Sequence, residues 1–310
     1  MAKRIVWNPD AAHRVIQYSG GIGSWATAVR VRERYGLGPL ELLFADTFIE
    51  DEDLYRFLIE SAADIFELPR PDDLVQRALA LPPMDAPEDR KVALLGLAMD
   101  TREAIPGLRW VAEGRDPWEV FSDRKFLGNS RVDPCSEVLK RNFLRRWMDE
   151  NHRPRDTVAY IGIDWTEEHR FKKARKLWKP WVVEAPLCDP PLHAKSKYQS
   201  ELEQRGIATP RLYAMGYPHN NCGGFCVKAG MAHFKHLAQT QPERYAYHER
   251  REQEIREELG DVAIMRDRTN AARAENDGKA QPLTMEQLRL RLIEGGEIDE
   301  FDWGGCGCAI

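Results

Sequence analysis

Residues 15–24, Val15-Ile16-Gln17-Tyr18-Ser19-Gly20-Gly21-Ile22-Gly23-Ser24, constrain this chain more than any other stretch. An apolar run breaks into serine and glycine, then enters a helical pattern from Trp25 to Tyr35. That is the order strand, tight loop, helix. Gly20, Gly21 and Gly23 admit positive φ and let the backbone approach a ligand closely. The loop amides then sit at a helix N-terminus, where the peptide dipoles favour an anion, and Ser19 and Ser24 add hydroxyl donors. A phosphate or pyrophosphate is the natural guest, with a plain strand-to-helix turn as the alternative. The glycine spacing is not G-x-G-x-x-G and no Gly-Lys-Ser/Thr closes the loop, so neither the dinucleotide fingerprint nor a Walker loop applies.

Leu40 to Asp46 reads as a second buried strand, and strand, helix, strand in this span implies parallel pairing. Ligands of such sheets lie beyond the carboxyl ends of the strands, which sets Asp46 and Thr47 beside the glycine loop. Asp46 also serves as a candidate N-cap for a helix over 51–63. Residues 65–68 suggest a short strand. Residues 69–87, rich in proline, suggest a loop-rich insertion with one helix from Asp72 to Leu81. Residues 109–113 suggest another strand. Residues 114–129 read as a loop, either facing substrate or packing Trp118, Phe121 and Phe126 on the domain.

Cys135 opens a helix that runs to about Asn151, and a helix N-terminus favours a thiolate. Residues 157–164 and 182–187 read as further strands, the first passing through Gly162 and Asp164 into a helix start. Arg170, Lys172 and Lys173 on that helix supply positive charge or a solvated face. Tyr198 to Gly206 reads as a short helix. Cys222-Gly223-Gly224-Phe225-Cys226 is a compact turn that faces two sulfurs toward one ion or cluster. Residues 229–259 predict a long helix, residues 266–281 a mobile polar loop, and Thr284 to Gln287 a capping box. The chain ends Gly304-Gly305-Cys306-Gly307-Cys308-Ala309-Ile310, and cysteines are unusual on so glycine-rich a tail.

Four segments, in this order, resemble the phosphoadenosine phosphosulfate (PAPS) reductase-like family of the PP-loop ATP pyrophosphatase superfamily: Ser19 to Ser24, Asp46-Thr47, Cys135 to Lys140, and Leu212 to Cys226. The resemblance covers about residues 14–228, with an insertion at about 69–130. It implies an adenine nucleotide alpha hydrolase-like fold: a doubly wound, mostly parallel α/β sheet over 1–228, followed by a helical extension over 229–310 with a cysteine tail. It implies a nucleotide held by Ser19, Gly20, Gly21, Gly23, Ser24, Asp46, Thr47, Lys140, Gly162 and Arg170. Cys135, Cys222 and Cys226 would then bind a 4Fe-4S cluster. Zinc is the alternative, with His219 or Cys188 as a fourth ligand. Cys135, Cys306 and Cys308 become candidate reactive thiols.

Two chemistries fit that resemblance. In one, a tail thiolate attacks the sulfur of an adenylated sulfate (PAPS or adenylylsulfate). In the other, ATP with magnesium adenylates an acceptor, such as a tRNA or DNA base, and sulfur then displaces the adenylate. Asp164 stands where the reductases carry an arginine, which favours ATP. A sulfur donor or thiol reductant is the implied partner, and a homodimer is an open alternative. A third reading, a nucleic-acid-binding accessory protein with a degenerate nucleotide site, rests on charge. Residues 124–179 carry 15 Lys/Arg against 8 Asp/Glu, whereas 241–303 carry 16 acidic against 10 basic residues.

Composition bounds the class. With 43% hydrophobic and 31% charged residues, the chain reads as an ordinary globular protein. No apolar stretch approaches the ~20 residues of a membrane helix, and no apolar h-region follows Met1 to Trp7. A cytoplasmic location without membrane partners is the expectation. Six cysteines without an export signal argue for metal or thiol chemistry.

Overall fold

The computed structural model describes residues 10–305. Five strands form its central sheet: β1 (His13–Gln17), β2 (Leu40–Asp46), β3 (Leu108–Ala112), β4 (Thr157–Ile161) and β5 (Val182–Glu184). Their order is β3-β2-β1-β4-β5 and every pairing is parallel. The strands read as nearly continuous apolar runs because both faces are covered. Alternation sorts the side chains. Ile16, Leu42, Phe44, Leu108, Val158 and Tyr160 enter one core, whereas Val15, Leu43, Ala45, Ala159, Ile161 and Val183 enter a second core on the other face.

The first face is covered by α1 (Ile22–Tyr35), α2 (Glu52–Ile65), α3 (Asp72–Leu79) and α4 (Pro87–Ala104). After α5 (Pro117–Arg124) comes one long helical stretch: α6 (Pro134–Ser136), a π-helical turn (Glu137–Asn142) and α7 (Phe143–Asn151). α7 and α8 (Glu168–Leu177) cover the second face, and α9 (Lys195–Gln204) returns to the first. Right-handed crossovers running outward from β1 and from β4 put the two helix layers on opposite faces. The direction of winding reverses between β1 and β4. A crevice therefore opens beyond their carboxyl ends, the place where open parallel sheets bind ligands.

Several local expectations are corrected. Residues 65–68 are no strand: α2 runs through Ile65, and Glu67 turns back with φ +56°. The insertion carries a second helix, α4, which uses Pro87 in its first turn, where the missing N–H costs nothing. Residues 117–124 form α5, opened by a capping box between Asp116 and Glu119, and its Trp118 and Phe121 are buried rather than turned to a substrate. β4 stops at Ile161 and β5 at Glu184, each shorter than expected.

Beyond α10 (Arg211–Ala214) the extension is mostly helical. The predicted long helix is two, α11 (Met231–Thr240) and α12 (Pro242–Leu259), broken where Pro242 cannot continue the hydrogen-bond ladder. The predicted polar loop folds as β6 (Met265–Asp267), α13 (Asn270–Glu275) and β7 (Gln281–Leu283), the two strands pairing antiparallel. α14 (Met285–Glu294) opens with the expected Thr284–Gln287 capping box. The extension is not a separate layer. Phe234, Tyr245, Ile255 and Leu288 share one apolar cluster with Trp118, Leu212 and Phe225. Among the described residues no helix is long and apolar enough to cross a membrane.

Candidate active site

The β1–α1 loop folds as a tight arch. Gly20 has φ +72°, and a Cβ there would meet the Leu54 side chain at 2.8 Å. Ser24 Oγ donates to the Gly21 carbonyl at 2.8 Å, and the Gly21 N–H donates back to that hydroxyl at 3.3 Å. Ser19 Oγ lies 3.5 Å from it. The loop packs backbone to backbone against the end of β4. A Cβ on Gly23 would stand 2.7 Å from the Gly162 carbonyl oxygen, and one on Gly162 would stand 2.7 Å from the Ser24 nitrogen. These two glycines are therefore required by close approach as well as by any ligand. Asn220, 2% exposed, donates from Nδ2 to the Gly20 carbonyl at 2.8 Å, while its Oδ1 has no partner among the described residues.

Two cavities flank this arch. One, about 130 Å³, is lined by Ser19, Gly21, Gly23 and Ser24 and by Gly162, Asp164, Glu167, Arg170, Lys195 and Tyr213. Asp164 caps the turn before α8, accepting from the Thr166 N–H at 2.8 Å, and Arg170 pairs with Glu167. Lys195 Nζ lies 4.0 Å from the Tyr213 ring centroid, and burial pulls its pKa below the usual lysine range. The second cavity, about 90 Å³, lies between β1, β2 and the π-helical turn, lined by Gln17, Leu43, Ala45, Lys140, Leu144 and Trp178. Gln17 Nε2 is buried without a partner among the described residues, a donor directed at whatever fills this space. π-helical turns recur at functional sites because they re-aim side chains, and this one presents Lys140 and Arg141 to the cavity.

Asp46 and Thr47 follow the strand end but do not line either cavity. The Asp46 carboxylate is wholly engaged by the Phe48 N–H at 2.8 Å, the Tyr55 hydroxyl at 2.7 Å and Trp110 Nε1 at 3.0 Å. Burial pushes its pKa up to about 6. The N-cap of α2 is Asp51, not Asp46. Thr47 Oγ1 donates at 3.2 Å to Glu50, a buried acid that the sequence reading missed. Glu50 also pairs with Lys140 Nζ at 3.2 Å and accepts the Cys222 N–H. One carboxylate thus ties the strand end, the π-helical turn and the cysteine turn together.

Cys222, Gly223 and Gly224 have φ of +54°, +58° and +86°, three successive left-handed residues. A Cβ on Gly223 would overlap the Arg244 guanidinium at 2.1 Å. Cys135, Cys222 and Cys226 are all half-buried and pack on the same apolar cluster. Among the described residues no three of Cys135, Cys222, Cys226, Cys188 and His219 bring ligand atoms within 4.8 Å of one another. Cys188 sits elsewhere, its Sγ donating to the Ile163 carbonyl at 3.5 Å and its pKa pushed up to about 12 by burial.

Cys226 opens on a third cavity, about 440 Å³, whose wall includes His219, Asn221, Gly224 and His233. His219, Asn221, Pro218 and Glu167 belong to the first cavity as well, and Asn221 borders all three. The chain returns here at its far end, where Trp303, Gly304 and Gly305 complete the wall. Gly304 bridges Ala229, the Gly305 N–H donates to the Lys228 carbonyl at 3.1 Å, and the Asp302 carbonyl accepts the Ala232 N–H at 3.0 Å. Cys306 and Cys308 lie outside the described residues.

Fold and crevice together define an α/β protein with a five-stranded all-parallel sheet, helices on both faces and a glycine arch at its switch point. Comparison with protein-family models and with curated proteins found no match to this chain. Of the residues missed, Gln17 and Asn220 carry no local signal, because their roles depend on neighbours far along the chain.

Proposed function

We propose that this chain is an enzyme of adenine-nucleotide-dependent sulfur chemistry, PAPS reductase-like within the PP-loop ATP pyrophosphatases, and that it adenylates and thiolates a carbonyl borne on a nucleic acid. One observation carries the reading: the arch cavity and the cysteine cavity share a wall, and the segment leading to Cys306 and Cys308 completes it. A nucleotide phosphate chain and a sulfur centre are thereby given adjoining chambers. The acceptor class is supported by a basic cavity of about 570 Å³, lined by Arg131, Arg266, Arg268, Arg273 and Lys279 and, among the described residues, by no acid. Arg268 reaches from it to Asp302, the residue before Trp303, at 3.3 Å.

The residues divide the work as follows. The Gly23 and Ser24 amides at the N-terminus of α1 hold the β- and γ-phosphates, with Arg170 and Lys195 beside them. The small cavity takes the base, with the Gln17 amide as donor and Leu43, Leu144 and Trp178 as apolar walls. The acceptor carbonyl oxygen attacks the α-phosphorus. The bond to the bridging oxygen breaks, and pyrophosphate leaves into the arch. A donor persulfide then attacks the activated carbon, AMP leaves, and a thiol reductant cleaves the remaining S–S bond. Cys135, Cys222 and Cys226 would hold a 4Fe-4S cluster, three thiolates being a set iron–sulfur clusters accept. Such a cluster would supply a place to carry the sulfur. A second reading, reduction of an adenylated sulfate by a tail thiolate, is favoured by the anchoring of Trp303 to Gly305 at the cavity.

Calorimetry with ATP and with PAPS, followed by pyrophosphate and sulfite release assays on protein purified without oxygen, tests these readings. ATP binding, and pyrophosphate release stimulated by RNA or DNA, is the expected result. PAPS binding with sulfite release selects the second reading. Binding of neither nucleotide, with salt-dependent nucleic-acid binding, would overturn both and leave an accessory protein with a degenerate site.

A further inference from the structure

The amino end of the sheet, opposite the crevice, carries a second constellation. His13 begins β1 and shares its face with Val15; Glu41 lies on β2 and shares its face with Leu43. Both belong to the face covered by α7, as Val15, Leu43, Leu144 and Met148 occupy one core. His152 is the C-cap residue of α7. Strand parity and the end of one helix thus bring two imidazoles and a carboxylate together. Ligand atoms of His13, Glu41 and His152 all lie within 4.8 Å of one another, the one such trio of His, Cys, Asp or Glu among the described residues.

The His152 side chain is 5% exposed, and neither of its ring nitrogens has a hydrogen-bond partner among the described residues. Its Nε2 stands 3.4 Å from Glu41 Oε1, without the alignment of a hydrogen bond. The His13 and His152 rings are tilted, with centroids 5.0 Å apart. Arg109 Nε donates to Glu41 Oε2 at 2.7 Å, which fixes the carboxylate and leaves Oε1 for the histidines. A buried imidazole with two idle nitrogens is a costly thing to keep, and a metal ion would engage one of them through its lone pair, leaving the other N–H to be met by water.

We propose that His13, Glu41 and His152 form a site for a divalent cation of the zinc class. Two imidazoles and one carboxylate suit Zn²⁺, with Co²⁺ and Ni²⁺ as analogues, and do not suit Mg²⁺ or Ca²⁺, which prefer all-oxygen sets. His13 is exposed, so the fourth position opens to solvent. Modest side-chain rotation closes the trio onto an ion with bonds of about 2.0–2.2 Å. The site joins β1, β2 and the end of α7, and it faces away from the crevice. Its role is to clamp the sheet rather than to take part in the reaction.

The test uses the full chain freed of metal with a chelator and titrated with Co²⁺, whose absorption separates thiolate ligands from nitrogen and oxygen ligands. One Co²⁺ per chain is expected to give a spectrum without thiolate charge transfer, to be displaced by Zn²⁺ and to raise the melting temperature. His13→Ala, at an exposed position that leaves the fold intact, is expected to weaken this binding by at least about tenfold. His152→Ala is expected to do the same. Absence of a nitrogen/oxygen-type cobalt signal in the unmodified protein, or its persistence at full affinity in His13→Ala, would overturn the proposal. Because the nucleotide-binding and release assays read a different chamber, this outcome is independent of the function proposed above.

Discussion

The glycine arch and the cysteine turn are both built from left-handed backbone, yet they are held in different ways. The arch is backbone set against backbone, with Gly23 and Gly162 closing on each other's main chain. The cysteine turn is set mainly against side chains: Arg244 fills the space over Gly223 beside the Ile49 carbonyl, and Glu50 accepts the Cys222 N–H. Backbone cannot move aside without unzipping β1 from β4, whereas the Arg244 guanidinium can shift only by giving up its bond to the Ile49 carbonyl and its pairing with Asp51 and Glu52. The arch therefore resembles a fixed mould, and the turn a part held in place by charges that must themselves remain paired.

That contrast breaks most severely at Lys140. Lys140→Met leaves Glu50, 1% exposed, without its cation beneath the cysteine turn. Removing one partner of a buried pair costs about 3 kcal/mol or more, and urea denaturation should show it. Glu50→Gln combined with Lys140→Met should recover part of the loss. If the single variant is as stable as the parent, the turn does not depend on paired charge. A step smaller is the comparison of glycines. Gly23→Ala should cost about 2–3 kcal/mol by overpacking an unyielding contact. Gly223→Ala should cost about 1–2 kcal/mol for its φ and for displacing the Arg244 guanidinium. Equal losses would erase the distinction between mould and paired turn.

The smallest expected effect is on pH dependence. Asp46 has its pKa raised from 3.8 to about 6 by burial, so the folded protein binds a proton that the unfolded chain has already released. Its contribution to stability is therefore greatest at low pH and declines as pH rises from about 4 to about 6, with no further change above. Denaturant midpoints across that window should fall with rising pH, and the fall should flatten in Asp46→Asn.

Much of the sheet was legible because its strands are apolar runs between punctuating glycines and acids. The helix that opens at Cys135 and the capping box at Thr284 were legible for the same local reason. What was not legible had contrary or distant causes. α4 hides behind prolines at 82, 83 and 87 and carries exposed Val92, Leu95 and Met99, so its periodicity does not point inward. β6 and β7 are three residues each, too short for alternation to register. Asp46 looked like a ligand because it follows a strand, but Tyr55 and Trp110 claim it in three dimensions. Glu50 gave no signal at all, since besides the neighbouring Thr47 its partners lie 90 and 172 residues further along.

Those separations have a consequence for how the protein comes into being. The segment 47–51 is held by Arg90, Lys140, Arg211, Cys222 and Arg244, and Arg244 donates to the Ile49 carbonyl at 2.8 Å. At ribosomal speeds of about 5–20 residues per second, roughly 10–40 s separate synthesis of this acidic segment from that of its last arginine. During that interval the nascent strands can pair, while the acids gain their cations in turn, Glu50 once Lys140 is made and Asp51 once Arg211 is made. The crevice is thus completed well after the sheet, and a chain released early would emerge with a finished sheet and an unfinished mouth.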